Sequence, residues 1–294
     1  MKKLAFSLML LVSCHSWGET LEKEILQQFL ADQQGLQSAI QRYCSAPGET
    51  NSAVLKQWQK TAISWYQVSA LQLPATEFMQ THYTFVFWPD AKDRLKNQVY
   101  AALKNAPDDI DQSELASAVT SLSAIEFILT DAATTRADAF ANQCAWMSYI
   151  AEYQVSQSSQ LAELQAFYDF DESEWLNALH GTTLVALDQL NEISARENRL
   201  IWQLGPAWRS DTTWQIQYSL SQQLTALIDM FIPKDEELQL WQNQLAELEL
   251  AEQTPSLETV LTYRAFLARL GTYIENDLAT KLDIFLGFNN FDGD

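Results

Sequence analysis

Apolar residues recur at three- and four-residue spacing along most of this chain, the signature of helices with one buried face. Leu21, Ile25, Phe29, Leu36, Ile40 and Cys44 trace one such stripe and predict a long helix over 19–46. The APGETN stretch breaks it, with Pro47-Gly48 as the turn signal. Leu55, Trp58, Ala62, Trp65 and Val68 predict a second helix over 52–73, ended by Pro74. Further helices are expected over 91–104, 116–129, 139–167, 174–200, 211–231 and 234–251. A last one starts at Thr254-Pro255, with proline at an early helical position. One segment departs from the pattern. THYTFVFWPD has strand-like composition, but Pro89 and the lack of a following strand predict an ordered loop. The pattern implies an all-α chain: roughly nine helices in two bundle halves packed side by side, 19–168 and 169–294. The acidic joint 169–173 separates them.

Composition agrees. Only eight glycines and seven prolines punctuate 294 residues, too few for the frequent turns of a sandwich or barrel. Ten Trp, ten Tyr and fourteen Phe supply large packing surfaces. Eighteen Lys and Arg face 38 Asp and Glu, a net charge of −20. A phosphate backbone is repelled by such a chain, and so is an anionic membrane surface. Nucleic acid is therefore excluded as a partner. Metal cations and basic protein surfaces remain permitted, although most of these charges need do no more than keep the chain soluble.

The amino terminus has the form of an export signal over 1–18, with MKK as its basic region and LAFSLMLLV as its short apolar region. Two endings compete. Leu11-Val12-Ser13-Cys14 matches a lipobox, which makes Cys14 a candidate lipid anchor and the only route to a membrane. Ser16-Trp17-Gly18 offers ordinary cleavage before Glu19. Either ending places the protein in the periplasm or cell envelope. Beyond the signal only Cys44 and Cys144 remain, and in an oxidising compartment the simplest reading is a disulfide. It would close a loop of roughly 100 residues and stabilise by about 4–5 kcal/mol on chain-entropy grounds. A two-cysteine metal site is the alternative, with no histidines nearby in sequence to complete it.

Chemical templates are scarce. No Walker, dinucleotide, HExxH or GxSxG motif is present. Neither His82 nor His180 has a histidine or carboxylate partner at helical spacing. Glu126 is the conspicuous residue: it is the single charge in the fourteen residues 116–129. Ser123 and Thr130 lie at i−3 and i+4, so the three form a narrow polar line on an apolar helix. A carboxylate there must be paired, hydrogen-bonded or neutral. Arg94 and Arg209, beside the unusual loop segments, are the expected partners for a buried ion pair.

Several segments, taken in order, resemble the imelysin family of bacterial envelope proteins, in particular its periplasmic lipoprotein branch. They are Trp65-Tyr66 through Leu71-Gln72; Phe87-Trp88-Pro89-Asp90 with Lys92, Asp93 and Arg94; Ser121 to Leu129; Gln143-Cys144-Ala145; Trp208-Arg209-Ser210; and Gly287 to Asp294. The resemblance implies two bundle-like halves and a site in the cleft between them. Glu126, Ser123, Trp88, Asp90, Arg94, Trp208 and Arg209 would line or brace that cleft. It also implies a link to iron-regulated envelope systems, with other iron-uptake proteins as partners. Members were first described as metallopeptidases, with the His and Glu of a Gly-x-His-x-x-Glu motif as suspected metal ligands. Here Ser121 and Ser123 stand at the glycine and histidine positions, and only Glu126 carries over as a candidate ligand for iron or another divalent metal. A hydroxyl is a poor divalent-metal ligand beside imidazole. The expected function is a non-catalytic binding or accessory component of iron or haem uptake. The alternatives are a metallopeptidase using carboxylates with His82 or His180, and a structural envelope lipoprotein.

Overall fold

The computed structural model describes residues 15–46, 50–90, 92–110, 115–134, 139–168, 170–196 and 199–286. The expectations at Cys14, Pro47-Gly48, Asp169 and the segment 287–294 lie outside these residues. The fold is all-helical, with no strand among the described residues beyond an isolated bridge between Arg196 and Arg199. No described helix is long and apolar enough to cross a membrane.

Helix α1 (His15–Ser45) sets Phe29, Leu36 and Ile40 into the core without residual exposure. It packs between α2 (Ser52–Ala70) and α8 (Phe140–Gln165). Helix α2 buries Val54, Trp58, Ala62, Trp65 and Val68, a stripe close to the expected one. The rings of Phe29, Trp65 and Phe85 meet at 4.2–5.4 Å, and Cys44 bonds to Cys144 where α1 and α8 come together, with Cα atoms 5.6 Å apart. Short pieces fill the space between α2 and α8: α3 (Pro74–Phe78), α4 (His82–Phe85), α5 (Arg94–Ala102), α6 (Ser117–Thr120) and α7 (Leu122–Thr130).

The carboxyl-terminal group is α9 (Glu172–Ile193), α10 (Thr213–Phe231), α11 (Leu238–Glu247) and α12 (Leu257–Tyr273), which continues through a π turn (Ile274–Leu278) into α13 (Ala279–Leu282). Asp171 caps α9 by accepting from the N–H groups of Ser173 and Glu174, and Ser256 caps α12 by accepting from Thr259 N–H. Helix α2 joins the two groups. Thr182 Oγ1 donates to the Ala70 carbonyl at 3.3 Å, and Gln223 Nε2 to the Gln67 carbonyl at 3.2 Å.

Several boundaries differ from the sequence expectation for local reasons. Pro74 starts a helix instead of ending one: α2 stops at Ala70, and Pro74 takes the first position of α3, where its missing N–H costs nothing. Pro255 precedes the cap of α12 and stands outside the helix. The stretch 116–129 is two helices, because Ser121 is extended (ψ 162°) and its hydroxyl donates back to the Ala118 carbonyl. The THYTFVFWPD segment makes one helical turn, α4, then runs extended through a cis Trp88-Pro89 bond.

Candidate functional site

Glu126 lies in the middle of α7, where that helix meets the loop 205–212 of the carboxyl-terminal group. Helix α7 is held from several sides. Trp58 Nε1 donates to the Leu122 carbonyl at 2.7 Å, and Asn51 Nδ2 to the Leu129 carbonyl at 2.6 Å. The Glu126 side chain is 2% exposed. Its Oε1 accepts from Ser210 N–H at 2.9 Å and from Ser210 Oγ at 2.8 Å.

The loop is shaped to make that contact. Gly205 admits a close approach, because a Cβ there would stand 2.4 Å from Thr213 Cγ2 and 2.9 Å from Ile193 Cγ2. Ala207 and Asp211 both have left-handed backbones (φ 53° and 56°) and bracket the single 3-10 turn Trp208–Ser210. A left-handed alanine costs about 1 kcal/mol, so the surrounding bonds must hold it. They include Thr212 N–H to the Ala207 carbonyl at 3.1 Å and Gln59 Nε2 to the Ser210 carbonyl at 2.8 Å. The turn thereby aims one N–H and one hydroxyl at the carboxylate.

The expected arginine pair is replaced by this serine. The Arg209 guanidinium lies over the rings of Trp208 (4.6 Å) and Phe127 (5.3 Å) and reaches Asp93 at 3.7 Å. It acts on Glu126 only through its field and its backbone N–H. Arg94 is exposed at the first position of α5 and contributes its backbone N–H, which donates to Asp90 Oδ1 at 2.8 Å. Leu95 N–H donates to Asp90 Oδ2 at 3.1 Å, so Asp90 closes the start of α5. Ser123 Oγ accepts from Phe87 N–H at 3.0 Å, and Trp88 Nε1 donates to the Leu204 carbonyl at 3.0 Å. Of the seven expected residues, Glu126, Trp88 and Arg209 make contacts between the amino-terminal helices and the loop 202–211, with Trp208 under the Arg209 guanidinium, whereas Ser123, Asp90 and Arg94 make the bonds named above within the amino-terminal group. Most of them brace backbone. The third member of the sequence-level polar line, Thr130, donates to the Glu126 carbonyl and not to its carboxylate.

Burial dominates the electrostatics. It pushes the Glu126 carboxyl up to about 7, against the opposing pull of the Ser210 hydroxyl, the Arg209 charge and the backbone N–H groups of Ser210 and Arg209. Tyr66, from α2, is pushed well above its ordinary range by burial and then by the charge of Glu126. Sequence reasoning missed Ser210 as a partner and Tyr66 as a neighbour. The left-handed residues around the turn leave no mark in composition.

The profile of the imelysin family matches residues 24–269. The chain belongs to the imelysin family. No curated protein sequence matches it. Two solved structures share the fold. An imelysin-like protein from Psychrobacter arcticum superposes with a TM-score of 0.66 over 96% of this chain and 100% of its own, at 13% identity. A protein named as an iron-regulated protein A precursor, from Parabacteroides distasonis, gives 0.62 over 89% and 91%, at 12% identity.

Imelysin membership raises a metal at Glu126, and the residues present do not fit one. The carboxylate's partners are an amide N–H and a hydroxyl already donating to it, with a guanidinium beyond. An N–H donor and a positive field both oppose a cation. The Ser123 hydroxyl, at the motif's histidine position, is taken by Phe87 N–H. Among the described residues no three His, Cys, Asp or Glu side chains are grouped to hold a metal ion. His180 Nε2 lies 2.9 Å from Glu275 Oε1, in the carboxyl-terminal group, and the side chain of His82 lies outside the described residues.

Proposed function

We propose that this imelysin-like protein is a non-catalytic binding or accessory component of iron or haem uptake in the cell envelope, with the seam between its two helical groups as the working surface. The observation that supports this reading is the setting of Glu126, the one motif residue retained: its side chain is buried and its Oε1 is occupied by the N–H and hydroxyl of Ser210, which argues against a solvent-accessible reacting centre. The iron link draws on the relative named as an iron-regulated protein A precursor, and the envelope location on the signal-like amino terminus. Exposed and half-exposed aromatics accompany the Trp88–Leu204 contact: Tyr83, whose ring meets that of Phe87 at 5.5 Å, Trp202 in the turn that ends at Leu204, and Trp208. Such residues dominate recognition surfaces.

A deletion strain grown with chelated iron tests this reading. Growth should fall, and both the native gene and a Glu126→Gln variant should restore it. Equal growth with and without the gene would sink the iron role. A folded Glu126→Gln protein that fails to restore growth would return the carboxylate to a chemical role. Calorimetry with ferrous, ferric and zinc ions should give no heat assignable to Glu126.

A further inference from the structure

A second surface lies where α3 and the α8–α9 turn meet. Ala75 N–H donates to Gln165 Oε1 at 3.3 Å and fixes α3 on the end of α8. Beyond that contact the chain turns large aromatics outward: Phe167 is 85% exposed, Phe78 73% and Tyr168 38%. Their neighbour Phe170 behaves differently and packs edge-on against Trp175 at 4.4 Å. Two such exposed phenylalanines at one end of a water-soluble bundle mark a contact surface more than a packing accident.

Carboxylates share this end. Glu77 of α3 is pushed above its ordinary range by burial, and Glu174 of α9 by burial and then by the charges of Asp171 and Glu77. No positive charge among the described residues offsets either shift. Lys234 nearby is already paired with Glu172. We infer that this end is a docking surface for a basic protein segment that sets an apolar side chain against Phe78 and Phe167 and its lysines or arginines against Glu77 and Glu174. Charge complementarity selects that occupant. An anionic bilayer would be repelled. A second copy in a two-fold contact would bring the same carboxylates face to face.

The start of α1 belongs to this end as well. From the Cys44–Cys144 bond, the pair Gln33–Gln154 lies back along α1 and forward along α8, so the two helices run antiparallel. The first turns of α1 therefore lie toward the end of α8, and the candidate anchor Cys14 directly precedes α1 in sequence. A bilayer is thus the alternative occupant that a test must separate.

The full-length exported protein is titrated with a fluorescent amphipathic helix of leucine and lysine at physiological salt. Phe78→Ser with Phe167→Ser should weaken binding at least ~10-fold, and Glu77→Gln with Glu174→Gln should weaken it comparably. Leu240→Ser, at an exposed leucine of α11, should leave it unchanged. Both pairs are largely on the surface, and unchanged thermal melting checks that they fold. Weakening by Leu240→Ser to the same extent, or by neither pair, overturns the proposal. So does binding to vesicles of phosphatidylethanolamine and phosphatidylglycerol that the phenylalanine pair abolishes, or a dimer in sedimentation that the same pair disperses.

Discussion

Glu126 and Asp235 both expose little surface, at 2% and 9%, but Glu126 lies deep between helices whereas Asp235 lies close to the protein surface beside a half-exposed lysine, and burial wins at the first and loses at the second. Asp235 Oδ2 accepts from Lys281 Nζ at 2.8 Å and from the Tyr273 hydroxyl, and its Oδ1 from Glu237 N–H at 3.1 Å. Burial raises its affinity for a proton, but these donors outweigh it and leave the carboxyl below the ordinary range. Glu126 accepts from neutral donors, the N–H and hydroxyl of Ser210, and the cation whose charge reaches it, Arg209, lies over two aromatic rings and toward Asp93. At the deeper site neutral hydrogen bonds do not cover the cost of removing a carboxylate's charge from water, whereas at the shallower one a direct ammonium and two further donors outweigh a smaller burial cost. A site of the Asp235 kind is a fixed tie. One of the Glu126 kind stays responsive to protons near neutrality.

The largest expected effect follows from that contrast. With a folded value of about 7 against 4.5 for an unperturbed glutamate, Glu126 binds its proton more tightly in the folded chain. Stability should therefore fall as pH rises from 4.5 to 7 and level off above, a loss of about 3 kcal/mol. Glu126→Gln removes the titration and can still accept from Ser210. Urea unfolding at pH 5 and pH 8 should find the variant close to native at pH 5 and more stable by up to that amount at pH 8. A variant that is less stable at pH 8 would mean that the seam's donors outweigh burial.

Asp235 should respond with the opposite sign. Its folded carboxyl lies below 3.8, so its contribution is present above that value and lost as the pH falls through the folded value. Asp235→Asn should cost about 2 kcal/mol at pH 7, the scale of a charge-assisted bond. The native advantage should shrink as the pH is taken down through 3.8. The same urea series reads both variants, and slopes of equal sign would erase the distinction between the sites.

Ser210→Ala comes next. It removes the hydroxyl donor at 2.8 Å and leaves the N–H at 2.9 Å. The expected cost is about 1.5 kcal/mol above pH 7 and less at pH 5, where the carboxyl is neutral. The Glu126 value should rise further, which a carbon-detected NMR titration of the side-chain carboxyl would follow. An unmoved titration would mean that the backbone N–H alone sets the site.

The two carboxylates were not equally legible in sequence. Glu126 stood out because its neighbours on α7 are apolar, and helical periodicity recovered α2 with its buried face and the approximate spans of α8 and α10. Asp235 drew no notice: it lies in a polar connector, and its partners Tyr273 and Lys281 are 38 and 46 residues away. The partner of Glu126 is 84 residues away and was sought among arginines, since charge is visible in a sequence. What decided the contact was the left-handed bracket at Ala207 and Asp211, a backbone property of residues that do not advertise it. The helix stop at Ser121 escaped for the same reason, because a hydroxyl turned back on its own chain looks like any serine in a pattern.

Ser123→Ala carries the smallest expected effect and tests what became of the family's histidine position. Ser123 Oγ accepts from Phe87 N–H at 3.0 Å, and so pins the extended segment that leads into Trp88 and Asp90 onto α7. Ser123 is buried and Phe87 half-buried, so water can replace the bond only from the Phe87 side, and the cost should be about 1 kcal/mol. That cost should be the same at pH 5 and pH 8, because the hydroxyl touches a backbone amide and not the Glu126 carboxylate. Measured against Ser210→Ala in the same urea series, a flat response assigns Ser123 to backbone bracing. A response that follows the Glu126 titration would place Ser123 among the groups that feel its charge, and would make the spacing of Ser123 and Glu126 a working unit.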